Sequence, residues 1–464
     1  MSAVGDSAWA NGRVGLARES ERLLERLPAL LAEAEKRADS ILETSALEGR
    51  SLLRLARLAG LAAPDLVPVI RSRDAETIVP VLARLALRGG PTYVKLGQLV
   101  SSTRGLAPAW IADAFAGCRD AVPPAPSGSI ADVLDRSGVL DHLRSWNRRP
   151  MASASVAQVH EAVLDDGTEV VLKIRRPGII GVVAADAAYL LPILRLVQSR
   201  NERIRLANLH GSLELMLRMF AQEVDLRLEA ASIVEMALSF ERASIEVEIP
   251  APIPGLITKR VVVLERINGV SAAADGVVSE YGHAPAELVR LAVAGVLETT
   301  MVDGIFHGDL HLGNVLVTAD GLALIDFGIV GRLSVQQRVA LVSLLQAALR
   351  DDRDGIIRSL QDFGAIPPHV DLDEFMTQLP PRMNREQRQA LRAGTGGKEE
   401  MQERFAGIVR ALSAAGFRVP PELTLFAKNL VYLGDAIHRH APDLDLEAEL
   451  GGTVTTILHR IAGA

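Results

Sequence analysis

Phe306-His307-Gly308-Asp309-Leu310-His311-Leu312-Gly313-Asn314, followed by Leu324-Ile325-Asp326-Phe327-Gly328, is the stretch on which the reading of this chain turns. Its residue types fit the transfer of a phosphoryl group. Such a group carries negative charge, so magnesium must bridge the nucleotide phosphates. Asn314 and Asp326 offer the hard oxygen donors that this metal takes. Asp309 stands where a carboxylate orients or deprotonates an attacking hydroxyl. An Asp with an Asn five residues on, then Asp-Phe-Gly, is the order in which kinases carry these parts. The flanks agree. Ile305-Phe306 and Val315-Leu316-Val317 are apolar backing, and Leu322 to Ile325 reads as a short strand after the hairpin-like turn Thr318-Ala319-Asp320-Gly321.

Such a site needs a lysine on an upstream strand. Asp165-Asp166-Gly167-Thr168 is a tight turn, and Glu169-Val170-Val171-Leu172-Lys173-Ile174 follows as an apolar run interrupted by Lys173. A lysine inside such a run needs a partner. In a kinase-type fold it meets the nucleotide phosphates and a glutamate on the next long helix. Before that strand, Met151-Ala152-Ser153-Ala154-Ser155-Val156-Ala157-Gln158-Val159-His160 takes the place of a glycine-rich loop but holds no glycine. Small residues still permit close backbone approach, with less freedom at positive φ. Ala154, Ser155, Val156, Ala157 and Gln158 are therefore candidate nucleotide contacts, held differently from those of ordinary kinases. Arg260 to Gly269 reads as a strand ending in a turn at the hinge position, where Glu265 and Ile267 are further nucleotide candidates.

On these residues and four further features the chain resembles the UbiB atypical kinase-like family, which is associated with isoprenoid quinone biosynthesis. Thr92-Tyr93-Val94-Lys95-Leu96-Gly97-Gln98-Leu99, with Ser102-Thr103-Arg104 and Asp120-Ala121-Val122-Pro123-Pro124, looks like the family's Lys-x-Gly-Gln segment, which ordinary kinases lack. The alanine-rich loop ending Ala157-Gln158-Val159-His160 is the second feature. Lys173-Ile174-Arg175-Arg176-Pro177-Gly178 is the third, and Gln222 to Ala231 is similar to the family's Glu-x-Asp helix. The match runs from roughly residue 85 to 445.

The resemblance implies roles. Lys173 contacts the nucleotide phosphates with Glu229 as its ion-pair partner. Glu223 and Asp225 face the segment from Lys95 to Gln98, which lies across the place where a protein kinase receives its peptide. On one continuous helix Asp225 and Glu229 share a face and Glu223 is offset. Taken without the family, these acids read as a solvated helix face. ATP or ADP and Mg²⁺ are the implied cofactors. An isoprenoid lipid or quinone precursor, and a peripheral membrane, are the implied partners.

Two departures bear on the activity. The usual His-Arg-Asp is His307-Gly308-Asp309, so there is no arginine to grip a phosphorylated activation loop. After Gly328 only Ile329-Val330-Gly331-Arg332-Leu333 precedes the helical Ser334 to Arg338, with no Ala-Pro-Glu. A peptide-docking platform is not expected.

At 464 residues the chain can bury more than one core. Mixed charges and a formal net charge of -7 argue against nucleic acid as a partner. The single cysteine, Cys118, excludes an internal disulfide, suits a reducing cytoplasm, and reads as a small buried hydrophobe. Met1 to Asn11 does not read as a secretory signal. No apolar run is expected to span a bilayer. The nearest, Gly178 to Val197, contains Asp186, Pro192 and Arg195 and reads as a buried or partly buried helix. Many family members end in hydrophobic anchoring helices, which Gly451 to Arg460 does not resemble. The localisation expected is cytoplasmic, with peripheral membrane contact.

Residues from about Val14 to Arg88 are helical in period, and Ser51 to Leu58 is a basic amphipathic stripe that reads as packed on its own domain. Residues 147 to 175 read as strands, and 207 to 240 as one long helix. Gly394-Thr395-Gly396-Gly397-Lys398 reads as a surface loop. The expected fold is α+β, bilobal and protein-kinase-like, with a helical N-terminal extension. Its parts are the extension over 1–88, the Lys-x-Gly-Gln segment over 89–130, a kinase-like N-lobe over 131–268, and a helical C-lobe over 269–464 carrying the catalytic loop and Asp-Phe-Gly. The expected activity is that of an ATPase or small-molecule phosphotransferase linked to isoprenoid-lipid or quinone metabolism. An antibiotic- or choline-kinase-like enzyme shares the His307-to-Asn314 pattern but not the Lys95 segment. A nucleotide-gated binding protein with little catalysis is the alternative from another class.

Overall fold

The structure, a computed structural model, describes residues 7, 9, 15–43, 49–72, 75–102, 114–115, 122–200, 209–350, 352–367, 412, 417 and 419–463. Thr103, Arg104, Cys118, Asp120, Ala121 and the loop 394–398 lie outside them. The chain divides into two compact units. One comprises Val14–Ala231 and Ala251–Arg266, the other Met1–Arg13, Ser232–Pro250 and Ile267–Ala464.

The first unit is built on an antiparallel sheet of β1 (Leu143–Trp146), β2 (Ala152–Ser153), β3 (Ala157–Leu164), β4 (Glu169–Arg175), β6 (Pro252–Ile257) and β7 (Val261–Glu265). Their order is β1-β3-β4-β7-β6, with β2 along β3. The period of two along β4 decides what each face carries. Val170, Leu172 and Ile174 are fully buried on one face, where Ile130 and Leu134 of α5 (Ser127–Arg136) pack on them. Each contributes roughly 1.5–3 kcal/mol by burial. Lys173, between two of them, is thereby turned to the opposite face. The turn before β4 is closed by Gly167 at φ +93°, a conformation that favours glycine.

Among the described residues, the helices α1 (Leu16–Glu43), α2 (Gly49–Ser72), α3 (Ala75–Gly89) and α4 (Pro91–Ser102) precede α5. α1 buries a stripe at helical spacing from Leu16 through Leu23, Leu27, Leu30 and Ala38 to Ile41. Ile41 joins a core with Val183 and Leu191 of α6 (Ile179–Arg200) and Leu213, Leu217 and Phe220 of α7 (Leu209–Glu223). By length and composition α6 is apolar enough to cross a membrane over Ile179–Leu196, contrary to the expectation that no segment would be. Within this unit its Asp186 is fully buried and takes both arms of Arg54 from α2, at 2.6 Å each, and the Thr92 hydroxyl of α4 at 2.6 Å. The α2 stripe is thus split. Arg54 turns inward while Leu52 and Leu53 are exposed.

The long helix expected over 207–240 is two helices, α7 and α8 (Leu226–Arg242). Val224 and Asp225 interrupt it. Asp225 turns its carboxylate onto the backbone N–H of Arg227 at 3.4 Å, and the Leu226 N–H goes to the carbonyl of Lys259 at 3.4 Å. An Asp that caps the next turn competes with helix continuation, which the helical period alone does not reveal.

In the second unit β5 (Val247–Glu248), β11 (Gly321–Leu324), β10 (Val315–Thr318) and β8 (Val270–Ser271) form a sheet in that order, with β5 parallel to β11. β10 and β11 are joined by the two-residue turn Ala319-Asp320. β9 (Ile305–His307) pairs with β12 (Val330–Arg332). Among the described residues, six helices belong here besides most of α8: α9 (Val277–Glu280), α10 (Pro285–Glu298), α11 (Val335–Leu349), α12 (Arg353–Phe363), α13 (Pro421–His440) and α14 (Leu446–Gly463). Only β12 lies between Gly328 and Ser334. There the Ser334 hydroxyl and the Gln337 amide form a reciprocal capping box that starts α11.

Candidate functional site

Each unit carries its own group of candidate site residues. In the first, β4 presents Lys173 to α8, and its ammonium donates to Glu229 Oε1 at 2.6 Å. The pair is nearly dry, at 13 % and 4 % side-chain exposure. A second ion pair joins Lys95 of α4 to Glu223 at the end of α7. Gln98 lies on α4, but its side chain is outside the described residues.

Asp225 does not face the Lys95 segment as the resemblance implied. Its carboxylate takes the Arg227 guanidinium at 2.9 and 2.7 Å and Arg37 of α1 at 3.5 Å. The helix break turns Asp225 out of line with both Glu223 and Glu229. Burial alone would push its carboxyl up, but Arg227 and Arg37 outweigh burial and hold it below the usual range.

The alanine-rich stretch is organised by a residue that the sequence marked only as part of a motif. Buried Arg176 donates to the carbonyls of Ala154 at 2.7 Å, Pro123 at 2.9 Å and Val122 at 3.3 Å, and to the Ser153 hydroxyl at 2.7 Å. All four acceptors are neutral, and burial pushes the guanidinium down to about 10. Ala154 is exposed, while Ser155, Val156 and Ala157 are buried. Gln158 is a correction. Its side chain is fully buried, accepts the Ala125 N–H and lies 3.3 Å from His160 Nε2, so its amide is not offered to a nucleotide. At the end of β7, Glu265 accepts the Ala251 N–H at 3.1 Å. Ile267 is half-buried and begins the long segment of the second unit.

In the second unit the loop between β9 and β10 holds Asp309 and Asn314. The Asn314 amide donates to the Asp309 carbonyl at 3.0 Å, and its backbone carbonyl accepts the Ile325 N–H at 3.0 Å. Asn314 is thereby set beside Ile325-Asp326. Asp326 adopts φ +61°, one of two non-glycine residues with positive φ among the described residues. Such strain persists where surrounding structure enforces it, commonly at working sites. Phe327, buried, meets the His307 ring edge-on at 5.1 Å. A carboxylate beside an amide oxygen suits magnesium, which keeps several waters and takes phosphate oxygens for the rest. No cluster of three His, Cys, Asp or Glu side chains that could hold a metal by themselves occurs among the described residues.

The position of Gly308, where kinases carry arginine, has a local cause. Its N–H bonds the Ile329 carbonyl at 2.9 Å, and a Cβ there would come within 2.5 Å of the Ile329 side chain. His307 is buried, and burial pushes it below its usual value, so it is neutral and bridges the Ile325 carbonyl at 3.1 Å and the Asp309 N–H at 3.1 Å.

Three residues of α13 complete this site. Lys428 donates to Asp309 Oδ1 at 2.7 Å and the Tyr432 hydroxyl to the same oxygen at 3.2 Å. Burial alone would raise the Asp309 carboxyl, but the Lys428 ammonium outweighs burial and holds it below the usual range. Burial likewise would lower Lys428, and Asp309 with Tyr432 holds it above. Tyr432 is pushed up to about 12 by burial and by Asp309. Asn429, fully buried, donates to the His307 carbonyl and accepts the Leu310 N–H at 3.4 Å. The signal in the sequence was a Lys-Asn pair set in a helix face otherwise lined by Leu423, Phe426, Ala427 and Leu433.

A family model, the ABC1 atypical kinase-like domain, matches residues 117–360. The chain is 33% identical over 366 residues to an uncharacterized protein of Mycobacterium tuberculosis, Rv0647c, covering 74% of this chain and 71% of that protein. It is 29% identical over 389 residues to the probable protein kinase UbiB of Aliivibrio fischeri, covering 82% of this chain and 70% of the relative. A solved structure of Rv3197 with erythromycin, from Mycobacterium tuberculosis, aligns over 70% of this chain and 82% of that one, at TM-score 0.45 and 22% identity.

Proposed function

The chain belongs to the ABC1 atypical kinase-like family and has its kinase-like fold, and from that membership we propose that it binds ATP with magnesium and acts as an ATPase or small-molecule phosphotransferase. The acceptor chemistry we assign is that of isoprenoid quinone or related lipid metabolism, by analogy with the UbiB relatives. The observation that carries the reading is the setting of Asn314 and Asp326. Asn314 spends its amide N–H on the Asp309 carbonyl, which keeps its amide oxygen for a hard cation beside the strained Asp326. Magnesium, when bound, neutralises charge on the transferring phosphoryl group.

The chain's own side chains do the rest. Lys173, fixed by Glu229, takes phosphate oxygens as a point charge. Asp309 orients the acceptor oxygen. Lys95, fixed by Glu223, carries the α4 segment that we assign to the substrate side. The alanine-rich stretch presents Ala154 and backbone rather than the Gln158 amide.

The test is a nucleotide-hydrolysis assay on the full chain with and without lipid vesicles and candidate phenols, beside a melting curve with MgATP or with ATP and chelator. A ligand that binds only the folded state raises the melting temperature. We expect that rise with MgATP and its loss with chelator. No rise and no turnover under any condition would overturn the reading.

A further inference from the structure

Lys428 is 119 residues from the carboxylate it holds. One account of it is structural, an ion pair that docks α13 on the catalytic loop. That docking is already made by its neighbour Asn429, which is fully buried and grips the loop through the His307 carbonyl and the Leu310 N–H. Lys428 is not shut away in the same manner, since its side chain is 23 % exposed and that of Asp309 30 %. Both Lys428 and Tyr432 reach Oδ1 of Asp309, so Oδ2 is left for an incoming hydroxyl.

The charge balance of the loop points the same way. Asp309 and Asp326 are acids, and a transferring phosphoryl group adds negative charge. Between Asp309 and Asn314 the loop supplies no fixed cation. Its residues are Leu310, His311, Leu312 and Gly313, and His311 uses Nδ1 to accept the Gly313 N–H at 3.0 Å. Position 308, where an arginine could stand, is glycine because Ile329 fills the space. Arg332 on β12 is committed to Glu235 at 2.8 Å and Ser232 at 3.0 Å. Lys428 has three N–H donors on a compact charge.

We propose that Lys428 is a catalytic residue: its ammonium, anchored on Oδ1 of Asp309, reaches the γ-phosphoryl oxygens and supplies the cation that the catalytic loop lacks. The proposal rests on the ATP-dependent reading above. In the step it serves, the acceptor oxygen, of water or a small hydroxyl compound, forms a bond to the γ-phosphorus. The bond from phosphorus to the β,γ-bridging oxygen breaks, and that oxygen leaves on ADP with the electron pair. The acceptor's proton passes to Oδ2 of Asp309 and on to water. Because Lys428 favours the charged carboxylate, Asp309 serves mainly to orient the acceptor, and the proton leaves late. Tyr432 holds the ammonium and the carboxylate in register.

The test compares Lys428→Met and Lys428→Arg with the wild type, using Asn429→Ala as the docking control. Calorimetry is run with MgADP and with magnesium and a non-hydrolysable ATP analogue, and hydrolysis is followed in a single turnover. Lys428→Met should keep MgADP affinity within about threefold and bind the analogue about tenfold more weakly, a loss of about 1.4 kcal/mol. Its single-turnover rate should fall about 100-fold, the scale of one lost preorganised charge contact. Lys428→Arg should recover part of both, and the melting temperature of Lys428→Met should stay above that of Asn429→Ala. Should Lys428→Met not fold, Lys428→Gln, uncharged but able to donate to Asp309, carries the same comparison. Equal losses for both nucleotides, or turnover within threefold of wild type, would overturn the role of Lys428. A wild type that binds neither nucleotide would instead bring down the ATP reading itself, and this proposal with it.

Discussion

Lys173 and Lys428 each hold a carboxylate, in different units and in different ways. The first pair joins a central strand to a helix and is nearly closed to solvent, at 13 % and 4 % exposure. The second joins a helix to a loop, is 23 % and 30 % exposed, and shares a tyrosine. A buried ion pair adds little stability over apolar residues of the same size. A dry pair inside an apolar strand is therefore better explained by work that needs the lysine held still. The second pair is less buried, and both of its donors reach Oδ1 of Asp309. In one unit a carboxylate fixes the lysine that we propose meets the phosphates, and in the other a lysine fixes the carboxylate that we propose orients the acceptor.

The sharpest way to separate the pairs from the metal is Asp326→Asn, which leaves both intact. It removes the charge from the residue proposed to hold magnesium, and bridging metals contribute several kcal/mol of transition-state stabilisation. Turnover should fall by at least about 100-fold. MgATP should then fail to raise the melting temperature, while stability without nucleotide changes little. Unchanged MgATP affinity by calorimetry would show that the lysine pairs alone hold the nucleotide.

A smaller effect tests whether the dry pair acts as a unit. Lys173→Met should weaken turnover by tens of fold, on the order of 2 kcal/mol. Glu229→Gln should give part of that defect. The double variant should be little worse than the worse single, because the two changes remove one interaction. Additive losses would mean that Lys173 works without its partner and that the comparison with Lys428 is misplaced.

The reason one pair was legible and the other was not is physical. Lys173 interrupts a run of β-branched and aliphatic residues after a tight turn, so local pattern both marks it and demands a partner. Asp309, Asn314 and Asp326 stand within 18 residues, where chain order alone carries the chemistry. Lys428 sits 119 residues from position 309, and nothing in the local sequence ties the two together. Glu229 and Glu223 were identified by the family resemblance, not by spacing. Spacing misled at Asp225, since it assumed one helix where Asp225 itself caps a second. Arg176 stood in a quoted motif, but its four neutral acceptors come from two loops brought together by the fold.

The open pair gives a pH signature. Asp309 is held below its ordinary 3.8 and Lys428 above its ordinary 10.5. A depressed carboxyl contributes stability above its unfolded value and loses it as pH falls through the folded one. A raised ammonium contributes below its unfolded value and loses it as pH rises through the folded one. Both charges therefore act together across the neutral range. In Lys428→Met burial is unopposed by the ammonium and pushes Asp309 up. The wild-type advantage in melting temperature should be level from about pH 7 to 9 and shrink on acidification, as Asp309 of the variant takes a proton first. An advantage that grows on acidification would show that the pair is not charged in the folded wild type.

The smallest functional effect is expected two residues from a residue of the site. Glu223 holds Lys95, while Asp225 is spent on Arg227 and Arg37. Asp225→Asn leaves an oxygen that can still accept the Arg227 backbone N–H, so the start of α8 keeps its cap. It removes the charge that two guanidinium groups share at a site only 1 % exposed. The loss should be about 1–3 kcal/mol of stability, the cost of weakening charged hydrogen bonds at a buried position. MgATP affinity should stay within about twofold, or 0.4 kcal/mol, because neither Lys173 nor Lys95 touches this carboxylate. Glu223→Gln should behave in the opposite manner, altering turnover through Lys95 with a smaller change in melting temperature. A drop in MgATP affinity for Asp225→Asn comparable to that of Lys173→Met would place Asp225 in the phosphate-binding group, and the helix break would then be part of the site rather than its scaffold.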